Sequence, residues 1–154
     1  MTSKLKVTTE VPNEIRMERT FDAPRRLVIR AMSTPELIKR WLGGVRATVV
    51  SVDVDFRVGG KYRYVLRPHK GPGFGFGGTY REIGDDRIVH NESFDGYPGE
   101  SLVTSTFVER GGKTDMTVVV RFESQAVRDA VLATGMANGA GESYDALEAV
   151  IAAL

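Results

Sequence analysis

The sequence predicts an α+β protein in which an antiparallel sheet of six to seven strands is covered by a long C-terminal helix. Three observations lead to this fold class. A strand and two short helices are indicated at the start, alternating apolar residues dominate from Arg46 to Phe122, and helical spacing closes the chain. Because the strands follow one another through short turns, we expect antiparallel pairing with the helix packed on the apolar face.

The first elements are a strand and two short helices. Residues 1–12 carry little pattern, so we expect a loose leader or an edge strand there. In EIRMERTF, the period of two predicts a half-buried strand. In DAPRRLVIRAMS and TPELIKRWL, Asp22 and Thr34 stand as capping residues before Pro24 and Pro35, which suit a first helical turn.

The middle of the chain reads as strands and turns throughout. VVSVDVDF alternates, and KYRYVL, GTYREI, RIVHNESF, LVTSTFVE and MTVVVRF supply further strands. Gly59-Gly60 predicts a two-residue hairpin turn, and Gly111-Gly112 marks another. In the first of these strands, the expected buried face consists of Val50, Val52, Val54 and Phe56.

The end of the chain changes to a helical period. Ser124 is a good N-cap for SQAVRDAVLATG, which closes at Gly135. Apolar residues then recur at spacings of three and four, which predicts an amphipathic helix of about four to five turns. These residues are Met136, Ala140, Tyr144, Leu147, Ile151 and Leu154. No linker or internal repeat divides the chain, so residues 1–154 are expected to form a single domain.

Composition excludes several classes of protein. The charged fraction of 27% and hydrophobic fraction of 42% are those of a globular protein, and no apolar run is long enough for a membrane span. A net charge of +1 gives no general attraction to nucleic acid. The absence of cysteine excludes disulfides and thiolate chemistry. No secretory signal is visible, which favours a cytoplasmic location. The sequence does not define the oligomeric state.

Residues 67–84, RPHKGPGFGFGGTYREIG, contain the dinucleotide-binding string G-x-G-x-x-G at Gly73, Gly75 and Gly78. That motif needs a helix directly after it, so that the helix N-terminus meets the pyrophosphate. The residues that follow, TYREI, favour a strand instead. We therefore expect a glycine-rich hairpin connection into a strand that begins near Phe76, with room for a neighbouring element to approach closely.

The ionisable residues suggest one candidate for chemistry. Asp53, Asp55 and His69 do not form a metal-binding pattern, and neither a metal nor another cofactor is expected. In IVHNESF, His90 and Glu92 alternate onto one face. If that face lines a cavity, the pair could act as a general base or anchor a ligand. The alternative is that both residues are structural or face solvent, so no catalytic residue is assigned.

Five strings in the same order resemble the START-like SRPBCC superfamily, and within it the bacterial relatives of the Aha-type activators of heat-shock-protein ATPase. The strings are FDAPRRLVIRAMSTPELIKRWLG, VDFRVGGKYRY, GGTYREI, RIVHNESFDG and RDAVLATGMANGAGESYDALEAV. The resemblance implies a helix-grip fold, in which a curved sheet grips the C-terminal helix around an elongated cavity. Members of the superfamily bind lipids, polyketides or other hydrophobic molecules, and some catalyse cyclisation.

The leading hypothesis is a binding protein for a small apolar ligand, such as a lipid or polyketide, rather than an enzyme. A polyketide cyclase-like or hydrolase-like enzyme using His90 and Glu92 is the first alternative, and a chaperone co-factor is the second. An apolar pocket with a few polar groups is what small-molecule recognition usually requires. The residues expected to line it are Trp41, Phe56, Tyr62, Tyr64, Tyr80, His90, Phe94, Phe107, Met136 and Tyr144.

Overall fold

A computed structural model describes residues 4–97 and 99–154. The elements are β1 (Lys6–Thr8), β2 (Glu14–Phe21), α1 (Arg25–Ser33), α2 (Pro35–Trp41), β3 (Ala47–Val54), β4 (Lys61–Pro68), β5 (Phe74–Ile83), β6 (Arg87–Phe94), β7 (Ser101–Arg110), β8 (Lys113–Arg121), α3 (Gln125–Ala133) and α4 (Met136–Ala152). The eight strands of the described chain form one curved antiparallel sheet in the order β1-β2-β8-β7-β6-β5-β4-β3. The predicted α+β fold is confirmed.

The extra strand comes from the expected leader. Within residues 1–12, Lys6–Thr8 pairs with β2 and forms the sheet edge, whereas residues 1–3 lie outside the described part of the chain. Arg128 on α3 holds the connection that follows this edge strand. Its Nη1 lies 3.1 Å from the carbonyl oxygen of Thr9, 3.2 Å from that of Val11 and 3.0 Å from that of Glu14. One buried guanidinium therefore satisfies three carbonyl groups of an irregular segment.

Replacing Arg128 with Met should destabilise the protein by about 2 kcal/mol, because three carbonyl groups lose a charged donor. Amide hydrogen exchange in Lys6–Thr8 should accelerate more than exchange in β7. Arg121→Met is the matched control, since its side chain is 64% exposed and only approaches Glu14 at 4.0 Å. Equal urea midpoints for the two variants would contradict this account of Arg128.

The helix ends show which capping predictions hold. Ser124 caps α3, because its hydroxyl accepts from the Val127 amide at 3.2 Å. Gly135 separates α3 from α4 with a φ of 81°, in the left-handed region that favours glycine. The prediction for Asp22 is wrong. Helix α1 begins at Arg25, and the Arg25 amide donates to the Glu109 carboxylate at 2.7 Å instead.

Strand β3 departs from the predicted alternation. The register with β4 shifts between Val49 and Ser51, so Val50 is bulged outward and is 55% exposed while Val52 is buried. A bulge places two residues against one on the partner strand, which a strict period of two does not anticipate. Gly111-Gly112 does form a two-residue turn, with both φ values positive.

The predicted two-residue turn at Gly59-Gly60 is also wrong. Residues 55–60 all lie between β3 and β4, and the segment folds against β5. Gly59 donates its amide to the Tyr80 carbonyl at 2.8 Å, and the Tyr80 amide donates to the Gly60 carbonyl at 2.9 Å. The connection therefore extends the pairing of β5 rather than closing a tight hairpin.

The core lies between the helices and one face of the sheet, which we call the inner face. Its largest fully buried side chains include Phe21, Phe107, Ile15, Met116 and Leu147. The Trp41 indole donates to the Ala31 carbonyl at 3.0 Å and so ties α2 to α1. None of the described helices is both long and apolar enough to cross a membrane.

Candidate functional site

The glycines of the G-x-G-x-x-G string shape strand β5, which begins at Phe74 and so contains two of them. A Cβ on Gly77 would collide with the Tyr62 carbonyl oxygen of β4. A Cβ on Gly78 would collide with the Asn91 carbonyl oxygen of β6. The expectation of close approach is confirmed, but the glycines act inside a strand rather than in its preceding hairpin turn.

This close approach changes the pairing of β5 with β6. The strands pair at Gly77–Ser93 and again at Tyr80–His90, and the ladder is interrupted between these pairs. There the Thr79 amide donates to Asn91 Oδ1 at 2.6 Å, so a side chain replaces the backbone partner. The Asn91 carbonyl accepts from the Tyr62 hydroxyl at 3.0 Å. A backbone acceptor is thereby brought into a side-chain cluster.

That cluster joins Tyr62 on β4 to His90 and Glu92 on β6. The Tyr62 hydroxyl lies 2.8 Å from His90 Nδ1 and 3.3 Å from Glu92 Oε1. His90 Nδ1 is also 3.1 Å from the Asn91 carbonyl oxygen. Since a carbonyl can only accept, this distance favours the tautomer with the proton on Nδ1. Nε2 then carries a lone pair and can accept a further hydrogen bond.

The protonation of this cluster is set by burial. Burial raises the pKa of Glu92 to about 7, with the hydrogen bond from Tyr62 acting in the opposite sense. Burial also lowers the pKa of His90, so the imidazole is neutral at pH 7, although its bond to Asn91 opposes that shift. Both side chains nevertheless keep part of their accessible surface. Glu92 and His90 are thus only partly shielded from solvent.

A continuous line of six rings runs across the inner face from this cluster to the sheet rim. We call it the aromatic track. The centroid distances are 5.3 Å for Tyr80–Tyr62, 5.1 Å for Tyr62–Tyr64, 5.3 Å for Tyr64–Phe76, 4.9 Å for Phe76–Phe94 and 6.5 Å for Phe94–Phe74. These values are typical of interacting aromatic rings. Tyr62 is 3% exposed at the inner end, whereas Phe94 is 40% exposed at the outer end.

Helix α4 faces the cluster with Tyr144. Burial is the main cause that raises the pKa of Tyr144 to about 12, and the charge of Glu92 acts in the same direction. The Tyr144 ring also meets Phe21 of β2 edge-on at 6.4 Å. Arg19 lies beside it on β2, but its side chain is only 1% exposed and binds Asp145 at 2.6 Å. Glu92 is therefore the charged side chain that remains accessible around this cluster.

The predicted binding residues divide into two groups. The structure brings together Phe56, Tyr62, Tyr64, Tyr80, His90 and Phe94 through direct ring contacts, with Tyr144 approaching from α4. It places Trp41 and Phe107 in the core and Met136 half-buried at the start of α4. Sequence reasoning missed Phe74 and Phe76. The alternation of Phe and Gly at residues 74–77 was the signal that would have found them.

The outer face of the sheet and its loops carry charged side chains and open clefts. Asp55 binds Arg57 at 2.8 Å, and His69 is exposed. Across the described ranges no three acidic or histidine side chains converge as metal ligands. One cleft lies over Gly77 and Gly78, where side chains are missing, and a second lies beside Val89 and Leu102. The internal cavity stays a prediction.

An antiparallel sheet that curves around a C-terminal helix, with an aromatic inner face, defines the helix-grip class of START-like proteins. The model of the family described as "Activator of Hsp90 ATPase homolog 1-like protein" matches residues 22–152. The chain belongs to this family.

Solved structures agree with this assignment. The chain is similar to a protein from Rhodobacter sphaeroides, with a TM-score of 0.90 and 26% identity over 99% of this chain and 100% of that one. It is similar to a protein from Chromobacterium violaceum, with a TM-score of 0.78 and 29% identity over 90% of this chain and 97% of that one. An AHSA1-like protein from Aeromonas hydrophila shares the fold, with a TM-score of 0.68 and 21% identity over 91% of this chain and 92% of that one. No curated protein matches the sequence.

Proposed function

We propose that the protein binds a small, mostly apolar ligand between the inner face of β4–β6 and helix α4. The observation that carries this proposal is the aromatic track, which is buried and polar at one end and open at the other. Ligand sites are commonly apolar surfaces with a few well-placed polar groups. Tyr62, His90 and Glu92 supply those groups, and the six rings supply the apolar surface.

The open end of the track supports binding on energetic grounds. Phe74 and Phe94 are 37% and 40% exposed, although each packs against Phe76. Covering apolar surface stabilises a complex by roughly 25 cal/mol for each Å² removed from water. A flat apolar molecule that extends the ring stacking would cover these faces. A lipid or polyketide-like body fits this requirement.

Two variants separate the track from ordinary surface aromatics. Phe94→Ala should weaken the binding of a fluorescent naphthalene sulfonamide by about tenfold, because a stacking face and its buried area are lost. Tyr97→Ala is the matched control, since Tyr97 is 76% exposed and makes no ring contact within the described residues. Fluorescence titration measures both. Equal affinities for the two variants would count against a site on the track.

A chaperone-directed role is the second candidate, and the family name favours it. If the protein acts on an Hsp90-type chaperone, its addition should raise the ATPase rate of a purified bacterial homologue. An unchanged rate at saturating concentration would remove this candidate. The enzyme alternative uses the same His90 and Glu92, and it stays a prediction.

A further inference from the structure

We propose that the ligand presents an uncharged hydroxyl group to His90, Glu92 and Tyr144 at the inner end of the aromatic track. This inference rests on the proposed binding function and specifies the chemical class of the ligand. Its polar end would be an alcohol or phenol, and not a carboxylate, phosphate or ammonium group.

The cluster contains two hydrogen-bond acceptors that lack a partner among the described residues. With the His90 proton on Nδ1, the Tyr62 hydroxyl accepts from His90 at 2.8 Å and has two acceptors for its own proton, the Asn91 carbonyl oxygen and Glu92 Oε1. With the proton of His90 on Nδ1, Nε2 is an acceptor without a partner among the described residues. Glu92 Oε2 is a second such atom. Neither atom is among the described buried side-chain atoms that lack a partner, so both face accessible space.

Helix α4 contributes a hydrogen-bond donor, the Tyr144 hydroxyl, on the side of the site that faces the cluster. The Tyr144 hydroxyl makes no hydrogen bond within residues 4–97 and 99–154, and it lies close enough to Glu92 to respond to its charge. A hydroxyl both donates and accepts, so it can donate to His90 or Glu92 while accepting from Tyr144. An ammonium group can only donate, so it leaves the Tyr144 proton without an acceptor, and a carboxylate has no proton to offer His90.

The charges around the cluster disfavour an anionic group on the ligand. Above pH 7 Glu92, with its pKa of about 7, is mainly ionised. An anionic head would then lie near its carboxylate without an accessible cation, since the Arg19 side chain is buried and bound to Asp145. A like charge in a poorly solvated site is strongly unfavourable. The imidazole of His90 is neutral and offers no compensation. The inner end of the track therefore disfavours fatty acids and other carboxylates.

Four compounds with one planar body test the inference: 2-naphthol, 2-methylnaphthalene, 2-naphthoate and 2-naphthylmethylammonium. At pH 8, where Glu92 is mainly ionised, isothermal titration of the wild-type protein should rank 2-naphthol about tenfold tighter than 2-methylnaphthalene, since two net hydrogen bonds are gained. The naphthoate should bind weakest. Tyr144→Phe should weaken 2-naphthol about threefold and leave 2-methylnaphthalene unchanged, and His90→Phe should act in the same way.

The outcomes separate this inference from the binding function. Equal affinities for 2-naphthol and 2-methylnaphthalene would overturn the hydroxyl head and leave the apolar site standing. Tighter binding of the naphthoate or the ammonium compound would overturn it in favour of a charged ligand. An unchanged preference for 2-naphthol in both variants would place the hydroxyl group elsewhere. If none of the four compounds binds up to its solubility limit, the binding function fails and the inference fails with it.

Discussion

Gly78→Ala should destabilise the protein by about 3 kcal/mol, because the new methyl group would meet the backbone of the neighbouring strand. The atom in its way is the Asn91 carbonyl oxygen, which cannot move aside as a flexible side chain could. The same carbonyl accepts from the Tyr62 hydroxyl, so displacement of β6 would also disturb the polar cluster. Urea unfolding followed by circular dichroism measures the loss.

The control is a glycine of α4 with open surroundings. A Cβ on Gly139 would meet nothing within 4 Å, so Gly139→Ala should stabilise the protein by about 0.5–1 kcal/mol through helix propensity. The two substitutions add the same methyl group and should change stability in opposite directions. A Gly78→Ala variant as stable as the wild type would show that β5 and β6 do not approach as described.

Glu92→Gln should remove a pH-dependent contribution of about 3 kcal/mol to the free energy of unfolding. This magnitude follows from a pKa change of 4.5 to about 7 at 1.36 kcal/mol per unit. The folded protein binds this proton more tightly than the unfolded chain does. The carboxyl therefore favours folding below pH about 4.5, and this contribution is lost as the pH rises through 7. The amide of the variant can still accept from Tyr62, so the difference reports the charge.

Unfolding free energies of the wild type and Glu92→Gln should be compared between pH 5 and pH 8.5. The variant should gain stability over the wild type as the pH rises. His90 is present in both proteins, so its opposite tendency, in which its lowered pKa costs stability as the pH falls below 6.5, largely cancels. Glu10→Gln, which removes one exposed carboxylate, is the control for the change in net charge. Parallel curves for the wild type and Glu92→Gln would mean that Glu92 is well solvated.

The fold was predictable because its signals are local. The alternation in KYRYVL and MTVVVRF, the paired glycines at Gly111-Gly112 and the helical spacing after Gly135 each specify an element through short-range geometry. The bulge at Val50 was not predictable, because its register depends on β4 rather than on the residues around it. The same holds for residues 55–60, whose partner, Tyr80, lies some twenty residues further along the chain.

The candidate site was predictable in part. Alternation in β6 correctly placed His90 and Glu92 on one face, and the tyrosines of β4 followed from the same rule. The Asn91 carbonyl could not be found in this way, because its role comes from an interrupted ladder between two strands. The G-x-G-x-x-G string was informative for a reason unrelated to phosphate. Its glycines allow three strands to approach and build the cluster.

The most direct test of the binding site is a titration of the ¹⁵N-labelled protein with 2-naphthol, followed by backbone amide chemical shifts. We predict saturable changes in β4, β5 and β6 around Tyr64, Phe76 and Phe94, and in α4 around Tyr144. The amides of β1 and of the Gly111-Gly112 turn should stay constant and serve as internal references. Changes confined to the outer-face clefts, beside Lys61 or Leu102, would contradict a ligand site on the inner face.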